Sequence, residues 1–303
     1  MSAPRTLERT LRPGRPVDLR LTLAPLRRGR LDPTMRIGPD GVWRATRTPV
    51  GPATIHLRAG GGAITARAWG PGAEFALDAL PTLVGADDDL EGFVPRHPVV
   101  AELARRLAGL RIGRSGAVVE ALVPSVLEQK VVGLEARRSY ARLVRALGEP
   151  APGPASLLLP PAPARLASTP SWVFHRAGVE RRRADTIRVA CSYRSRLEEA
   201  AGLPSEEAQR RLTALPGVGR WTAAEVALVA LGDADAVSLG DYHLPHQVGW
   251  ALAGEARGDD ARMLALLEPY RGHRGRVIRL VVAGHPAPPR FGPRMPLRSI
   301  AGL

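Results

Sequence analysis

The apolar residues of this chain follow one period up to about residue 83 and another beyond residue 95, and this switch constrains the fold more than any other feature. Over residues 17–83 the period is two, as in Val17-Asp18-Leu19-Arg20-Leu21-Thr22-Leu23 and Ile55-His56-Leu57-Arg58. Turn signals stand at Pro39-Asp40-Gly41 and Gly60-Gly61-Gly62. Alternation puts successive side chains on opposite faces of a strand, so residues 17–83 are expected to form a small antiparallel sheet, 17–23 included. Asp87-Asp88-Asp89 and the pair Pro95 and Pro98 then break the pattern. The spacing becomes three and four, which predicts helices at 98–109, 116–131, 134–147, 179–200, 206–213, 220–231, 243–253, 259–267 and 273–284. The expected class is α+β, with an N-terminal β-rich domain over 1–90, a mainly α-helical module over 91–285, and a loosely ordered Pro/Arg-rich tail over 286–303. The boundary is placed at residues 86–95. Residues 149–164 hold six prolines, too rigid and poor in donors for a helix, and are expected to be a long surface connection.

Composition excludes several classes of function. The single cysteine, Cys191, rules out an intrachain disulfide, a four-cysteine zinc site and a four-cysteine iron–sulfur cluster. No window approaches the roughly 18 apolar residues of a membrane span, and Met1-Ser2-Ala3-Pro4-Arg5 leads into no apolar leader core, so a soluble cytoplasmic chain is expected. With 43 Lys+Arg against 29 Asp+Glu, a net charge of +14, a polyanion is the first partner to consider. Lys130 is the only lysine, and so strong an arginine bias can come from codon usage as readily as from function.

The most informative stretch is Leu212-Thr213-Ala214-Leu215-Pro216-Gly217-Val218-Gly219-Arg220-Trp221-Thr222-Ala223-Ala224. Two helical patterns are joined by Pro-Gly-Val-Gly, where glycines permit positive φ and close approach of an anion to backbone amides. This is the sequence form of a helix-hairpin-helix, a sequence-independent grip on the DNA backbone; the alternative is an ordinary helical corner. Twenty-two residues beyond Gly219 stands Asp241, in Ser238-Leu239-Gly240-Asp241-Tyr242-His243. There a carboxylate serves either as a helix cap or in chemistry.

Hairpin and aspartate together resemble the helix-hairpin-helix superfamily of DNA glycosylases, most closely the bacterial alkylation-repair 3-methyladenine DNA glycosylase II type. Val126-Leu127-Glu128-Gln129-Lys130-Val131, the hairpin, Asp241-Tyr242 and Glu268-Pro269-Tyr270-Arg271 occur in that family's order, and the likeness runs over residues 60–284. It implies a β-rich domain followed by two helical subdomains with the active site between them. It also implies hydrolytic release of a damaged, alkylated purine from duplex DNA by a monomer without a cofactor, associated with the bacterial nucleoid through DNA.

On this resemblance Asp241 is the catalytic carboxylate, facing the positive charge that develops on the sugar as the base departs. Bifunctional lyases of the superfamily carry a lysine where this chain has Trp221, so a monofunctional enzyme is expected. The extruded base leaves a gap that relatives fill with an apolar residue after the glutamine of the early helix. Here Lys130 follows Gln129; its stem can fill space, or it is simply a solvated residue. The pocket is assigned to Trp221, Tyr242, Glu225, Arg279 and Gln129. Glu225 and Arg279 replace aromatic residues, and form a salt bridge, read a base edge, or are surface charges. DNA contacts are assigned to Gly217, Val218, Gly219, Arg220, Thr222, Lys130 and Arg271, and a sodium or potassium ion to the carbonyls of Thr213, Leu215 and Val218. Arg181-Arg182-Arg183 is either a DNA contact or a solvated helix face, and the spacing of His243 and His246 gives a weak hint of a metal. The rivals are a non-catalytic damage-sensing protein and a glycosylase for a deaminated, oxidised or bulky base.

Overall fold

The structure, a computed structural model, describes residues 6–289, so most of the expected tail lies outside the described residues. Five antiparallel strands form one sheet in the order β1-β5-β4-β3-β2: β1 (Thr6–Leu11), β2 (Met35–Gly38), β3 (Gly41–Thr48), β4 (Gly51–Gly60) and β5 (Ala63–Trp69). Both predicted turns close hairpins, with Gly38 opposite Gly41 and Gly60 opposite Ala63. Val42, Ile55, Leu57, Ile64, Ala66 and Ala68 form the buried face, under the short helices Ala73–Asp78 and Leu80–Leu83.

Residues 17–23, expected to be a strand, instead contain the helix Leu19–Leu23, and the edge strand β1 lies before them. The Asp18 carboxylate accepts the N–H groups of Arg20 (2.8 Å) and Leu21 (3.0 Å). This local bond starts a helix in place of a ladder. Leu19 and Leu23, one turn apart, then enter the sheet's core together, which the alternating pattern had concealed.

The proline-rich segment is not a surface connection. Leu157 and Leu159 are buried with Ala45 on the second face of the sheet, and the backbone N–H of Leu158 bonds Pro33 O at 2.9 Å. Two apolar side chains on a rigid extended segment gain more by covering the sheet than by facing water. Short helices at Pro163–Ser168 and Ser171–Arg176, absent from the sequence reading, follow it.

The remaining helices fall close to expectation: Pro98–Arg106, Val118–Leu127, Gly133–Leu147, Ser205–Thr213, Leu244–Ala253, Asp260–Leu267 and Arg274–Gly284. The expected helix at 179–200 breaks at Tyr193 into Arg181–Ser192 and Arg194–Glu198. That at 220–231 is Arg220–Val226 followed by a π-helical turn ending at Gly232. These helices surround two cores, one under Val118–Leu127 and the hairpin, the other joining Pro98–Arg106 to the three C-terminal helices. Among the described residues no helix is long and apolar enough to cross a membrane.

Two carboxylates, one half-buried and one buried, fix sheet and helices together. Glu120 accepts Arg44 Nη2 (2.9 Å), Thr46 Oγ1 (2.9 Å) and the Arg47 N–H (2.7 Å) from β3. Asp88, in the acidic stretch that marks the boundary, is 4% exposed at its side chain and pairs at 2.6 Å with Arg276, which is 2% exposed.

Candidate active site

The hairpin is built by Ser205–Thr213, a turn, and Arg220–Val226. Val218 donates its N–H to Leu215 O at 3.1 Å, closing the turn. The two glycines have different reasons to be there. Gly217 holds φ at +84°, and a Cβ on it would lie 2.1 Å from Thr186 Oγ1, on the helix behind. Gly219 has φ −98°, open to any residue, and nothing stands within 4 Å of where its Cβ would be. Its bareness leaves the outer surface clear. The first backbone bond of the second helix runs from Ala223 N to Gly219 O, so the N–H groups of Arg220, Trp221 and Thr222 stand at a positive helix end. Arg220 is exposed.

Gln129 faces the hairpin. Its amide Nε2 donates to Gly217 O and to Thr222 Oγ1, both at 2.9 Å, clamping the end of the early helix to the hairpin. Thr222 is 2% exposed, so its side chain faces inward and only its backbone is available to a phosphate. Lys130 is exposed beside this clamp, outside the helix predicted to contain it, with φ +54°. Arg183 is likewise buried, at 5% exposure, and donates to Leu127 O at 2.7 Å, capping the early helix. That removes it from the proposed basic cluster; Arg181 pairs with Asp185 at 3.7 Å. Arg271 is exposed and paired with Glu268 at 2.7 Å.

Asp241 is a helix cap, the first of its two sequence readings, and it also holds the hairpin helix. Oδ1 accepts the N–H groups of His243 (2.7 Å) and Leu244 (2.9 Å) where the helix Leu244–Ala253 begins. Oδ2 accepts the Trp221 indole N–H at 2.9 Å. Gly240, at φ +82°, turns the chain just before, and its N–H is held by Asp260 at 2.8 Å. Tyr242 is 75% exposed, edge-on to the His243 ring.

Glu225 lies one helical turn beyond Trp221, and Oε1 accepts Ser238 Oγ at 2.5 Å. Burial raises its carboxyl above the ordinary range. The Ser238 bond opposes this, the charges of Glu128 and Asp241 add to it, and Arg28 opposes it. Arg279 donates to Leu21 O at 3.0 Å; burial brings its guanidinium down to about 10, with the charge of Glu225 acting the other way. Among the described residues the two form no ion pair with each other, so the salt-bridge alternative fails, and neither is a freely exposed charge. Arg28 lies 3.8 Å from Glu128. Ser238, Glu128 and Arg28 were missed in the sequence. Ser238 and Glu128 each lie within a quoted motif without having been given a role, whereas Arg28 arrives from the sheet domain without any local signal.

His246 Nδ1 accepts the Gly258 N–H at 3.1 Å, and no cluster of three potential metal-ligating side chains exists among the described residues. The donor set for an alkali ion fits better. Among the described residues no protein donor bonds the Thr213 or Val218 carbonyl, and that of Leu215 accepts only Val218 N–H. Neutral carbonyl oxygens of this kind suit a hard cation of low charge.

A hairpin, a carboxylate tied to its second helix, and a five-stranded sheet before the helices make up a fold that solved DNA glycosylase structures share. The 3-methyladenine DNA glycosylase of Archaeoglobus fulgidus superimposes with a TM-score of 0.74 over 90% of this chain and 97% of its own, at 19% identity. The Clostridium acetobutylicum 8-oxoguanine glycosylase/lyase does so at 0.70, over 93% and 99%, at 12% identity. In sequence the chain is related to the probable bifunctional transcriptional activator/DNA repair enzyme AlkA of Mycobacterium tuberculosis, 33% identical over 191 residues, 62% of this chain and 35% of that protein. The match thus spans about a third of the length of the curated relative. No protein-family model matches the chain.

Proposed function

We propose that this protein is a monofunctional DNA glycosylase that extrudes an alkylated purine from duplex DNA and hydrolyses its N-glycosidic bond. The observation that carries the reading is the bond from the Trp221 indole to Asp241. It ties the carboxylate that the reaction needs to the helix that presents its amides to DNA. The amides of Gly217, Gly219, Arg220, Trp221 and Thr222 and the Arg220 guanidinium hold phosphates, the Val218 amide being spent on the turn, and the Lys130 stem occupies the space left by the extruded base.

As the C1′–N9 bond lengthens, positive charge grows on the sugar, and Asp241 opposite the leaving base stabilises it. Water adds to C1′ and gives up its proton. No amine stands at position 221 to attack instead, which supports hydrolysis over lyase chemistry. A second lesion class remains the rival for substrate range. The protein is proposed to act as a monomer, and any alkali ion at the hairpin is structural.

The test is base release from methylated duplex DNA by wild type and Asp241→Asn, with abasic sites revealed by alkali. The variant is expected to lose at least about 10²-fold in turnover while binding DNA within a few-fold of wild type. Equal release by both proteins, or none by wild type on any methylated purine, refutes the reading.

A further inference from the structure

Loss of a base asks different things of the enzyme according to the charge of the base. A purine alkylated on a ring nitrogen is already cationic and departs neutral. A neutral lesion departs as an anion unless a proton reaches one of its ring nitrogens as the C1′–N9 bond breaks. A proton held next to the base, on the same frame as the carboxylate that faces the sugar, speeds the loss of the neutral base and leaves that of the cationic base unchanged.

Two contacts of the hairpin helix supply that frame. Trp221 and Glu225 lie one turn apart, and both engage a single short segment: Trp221 Nε1 donates to Asp241 Oδ2, and Ser238 Oγ donates to Glu225 Oε1. Glu225 is therefore fixed relative to Asp241. Its second oxygen, Oε2, has no protein partner among the described residues and is not sealed from solvent. One oxygen is anchored and the other is free to meet a ligand.

We infer that Glu225 is the proton donor to the departing base, a step that assists a neutral lesion such as deaminated adenine and that a cationic alkylated purine does not use; this rests on the glycosylase reading. In the step, the Oε2 proton passes to a ring nitrogen of the base, and the C1′–N9 electron pair goes to the base, which leaves neutral. Water adds to C1′ and loses its proton toward Asp241, and Glu225 regains a proton from solvent. The charged groups around Glu225 come from every side: Glu128 from the turn after the early helix, Asp241 from its own strap, Arg28 from the sheet domain and Arg279 from the last helix. Burial, Glu128 and Asp241 favour the protonated acid; the Ser238 bond, Arg28 and Arg279 disfavour it, with a net upward shift.

The experiment measures single-turnover release of 7-methylguanine and of hypoxanthine from defined duplexes, across pH, by wild type, Glu225→Gln and Ser238→Ala. Wild type is expected to release both bases, with hypoxanthine release falling as pH rises and 7-methylguanine release nearly flat. Glu225→Gln is expected to lose about 10²-fold or more on hypoxanthine and to stay within about threefold on 7-methylguanine, while Ser238→Ala keeps the pH contrast. Equal losses on both bases make Glu225 a positioning residue only and overturn the inference. So does wild-type release of 7-methylguanine without hypoxanthine, which leaves the glycosylase reading intact. Release of neither refutes that reading and this inference with it. If Glu225→Gln does not fold, the wild-type pH profiles decide: parallel profiles for the two bases overturn the inference.

Discussion

Substituting Gly217 by alanine tests whether the hairpin turn is held by its backing helix. At φ +84° an L-residue pays about 1–2 kcal/mol for the left-handed conformation. The added Cβ would also stand 2.1 Å from Thr186 Oγ1, 3.1 Å from its Cγ2 and 3.2 Å from its Cβ. Relief of that overlap requires a shift of the turn or the helix, at about 1–3 kcal/mol. Gly217→Ala is therefore expected to lose about 2–5 kcal/mol in urea denaturation. With the turn displaced from Gln129, which bonds Gly217 O, turnover should fall by roughly 10²-fold. Thr186→Ala removes two of the three close atoms, so the double variant should recover the overlap part and leave the φ part. That is a favourable coupling of about 1–3 kcal/mol in a double-mutant cycle. Gly219→Ala is the internal control: its backbone is unstrained and its surroundings are open, so stability should hold within about 0.5 kcal/mol while DNA affinity drops. Strict additivity of the Gly217 and Thr186 changes refutes the packing argument, and undiminished DNA binding by Gly219→Ala refutes the phosphate-approach argument.

Three further outcomes are expected. Asp88→Ala leaves the Arg276 guanidinium buried without its partner and should cost about 3–5 kcal/mol, measured by denaturant titration; a loss below 1 kcal/mol contradicts the burial of this pair. Borohydride treatment of the protein with DNA containing an abasic site should trap no covalent complex, and a trapped species that disappears in Lys130→Ala would make Lys130 a lyase nucleophile. The folded-state carboxyl of Glu225 lies above its ordinary 4.5, so the stability it contributes is fully present below that value and is lost as pH rises through the folded-state value. Wild type should therefore lose stability relative to Glu225→Gln as pH increases over that window, and a constant gap in denaturation experiments would show that Glu225 is not perturbed.

The parts legible in the sequence were those written in local pattern. The hairpin, Asp241 and most helix limits follow from glycine spacing and apolar period, and two of the sheet's three hairpin turns from their turn residues. What escaped depended on long-range contacts. Asp18 turned an alternating run into a helix because Leu19 and Leu23 could be buried together. The proline-rich segment found a sheet face to cover, and Arg183 found the carbonyl of Leu127, far away in the chain. In the candidate site, Asp241 was legible and its Trp221 bond was not. Ser238 on Glu225 and Arg28 beside Glu128 are pairings across elements that no residue spacing records.

The helix Arg181–Ser192 touches both turns assigned to DNA: Arg183 holds the carbonyl of Leu127 just before Lys130, and Thr186 packs against Gly217. Both turns thus rest on one common footing, with Gln129 as a brace between them. On the proposed function, the span from the residue that replaces a missing base to the amides that hold the neighbouring phosphate is set before DNA arrives. The protein then works as a caliper of fixed opening. Deformation falls on the duplex, and lesions that weaken stacking are found most readily because their DNA yields to the gauge with least work.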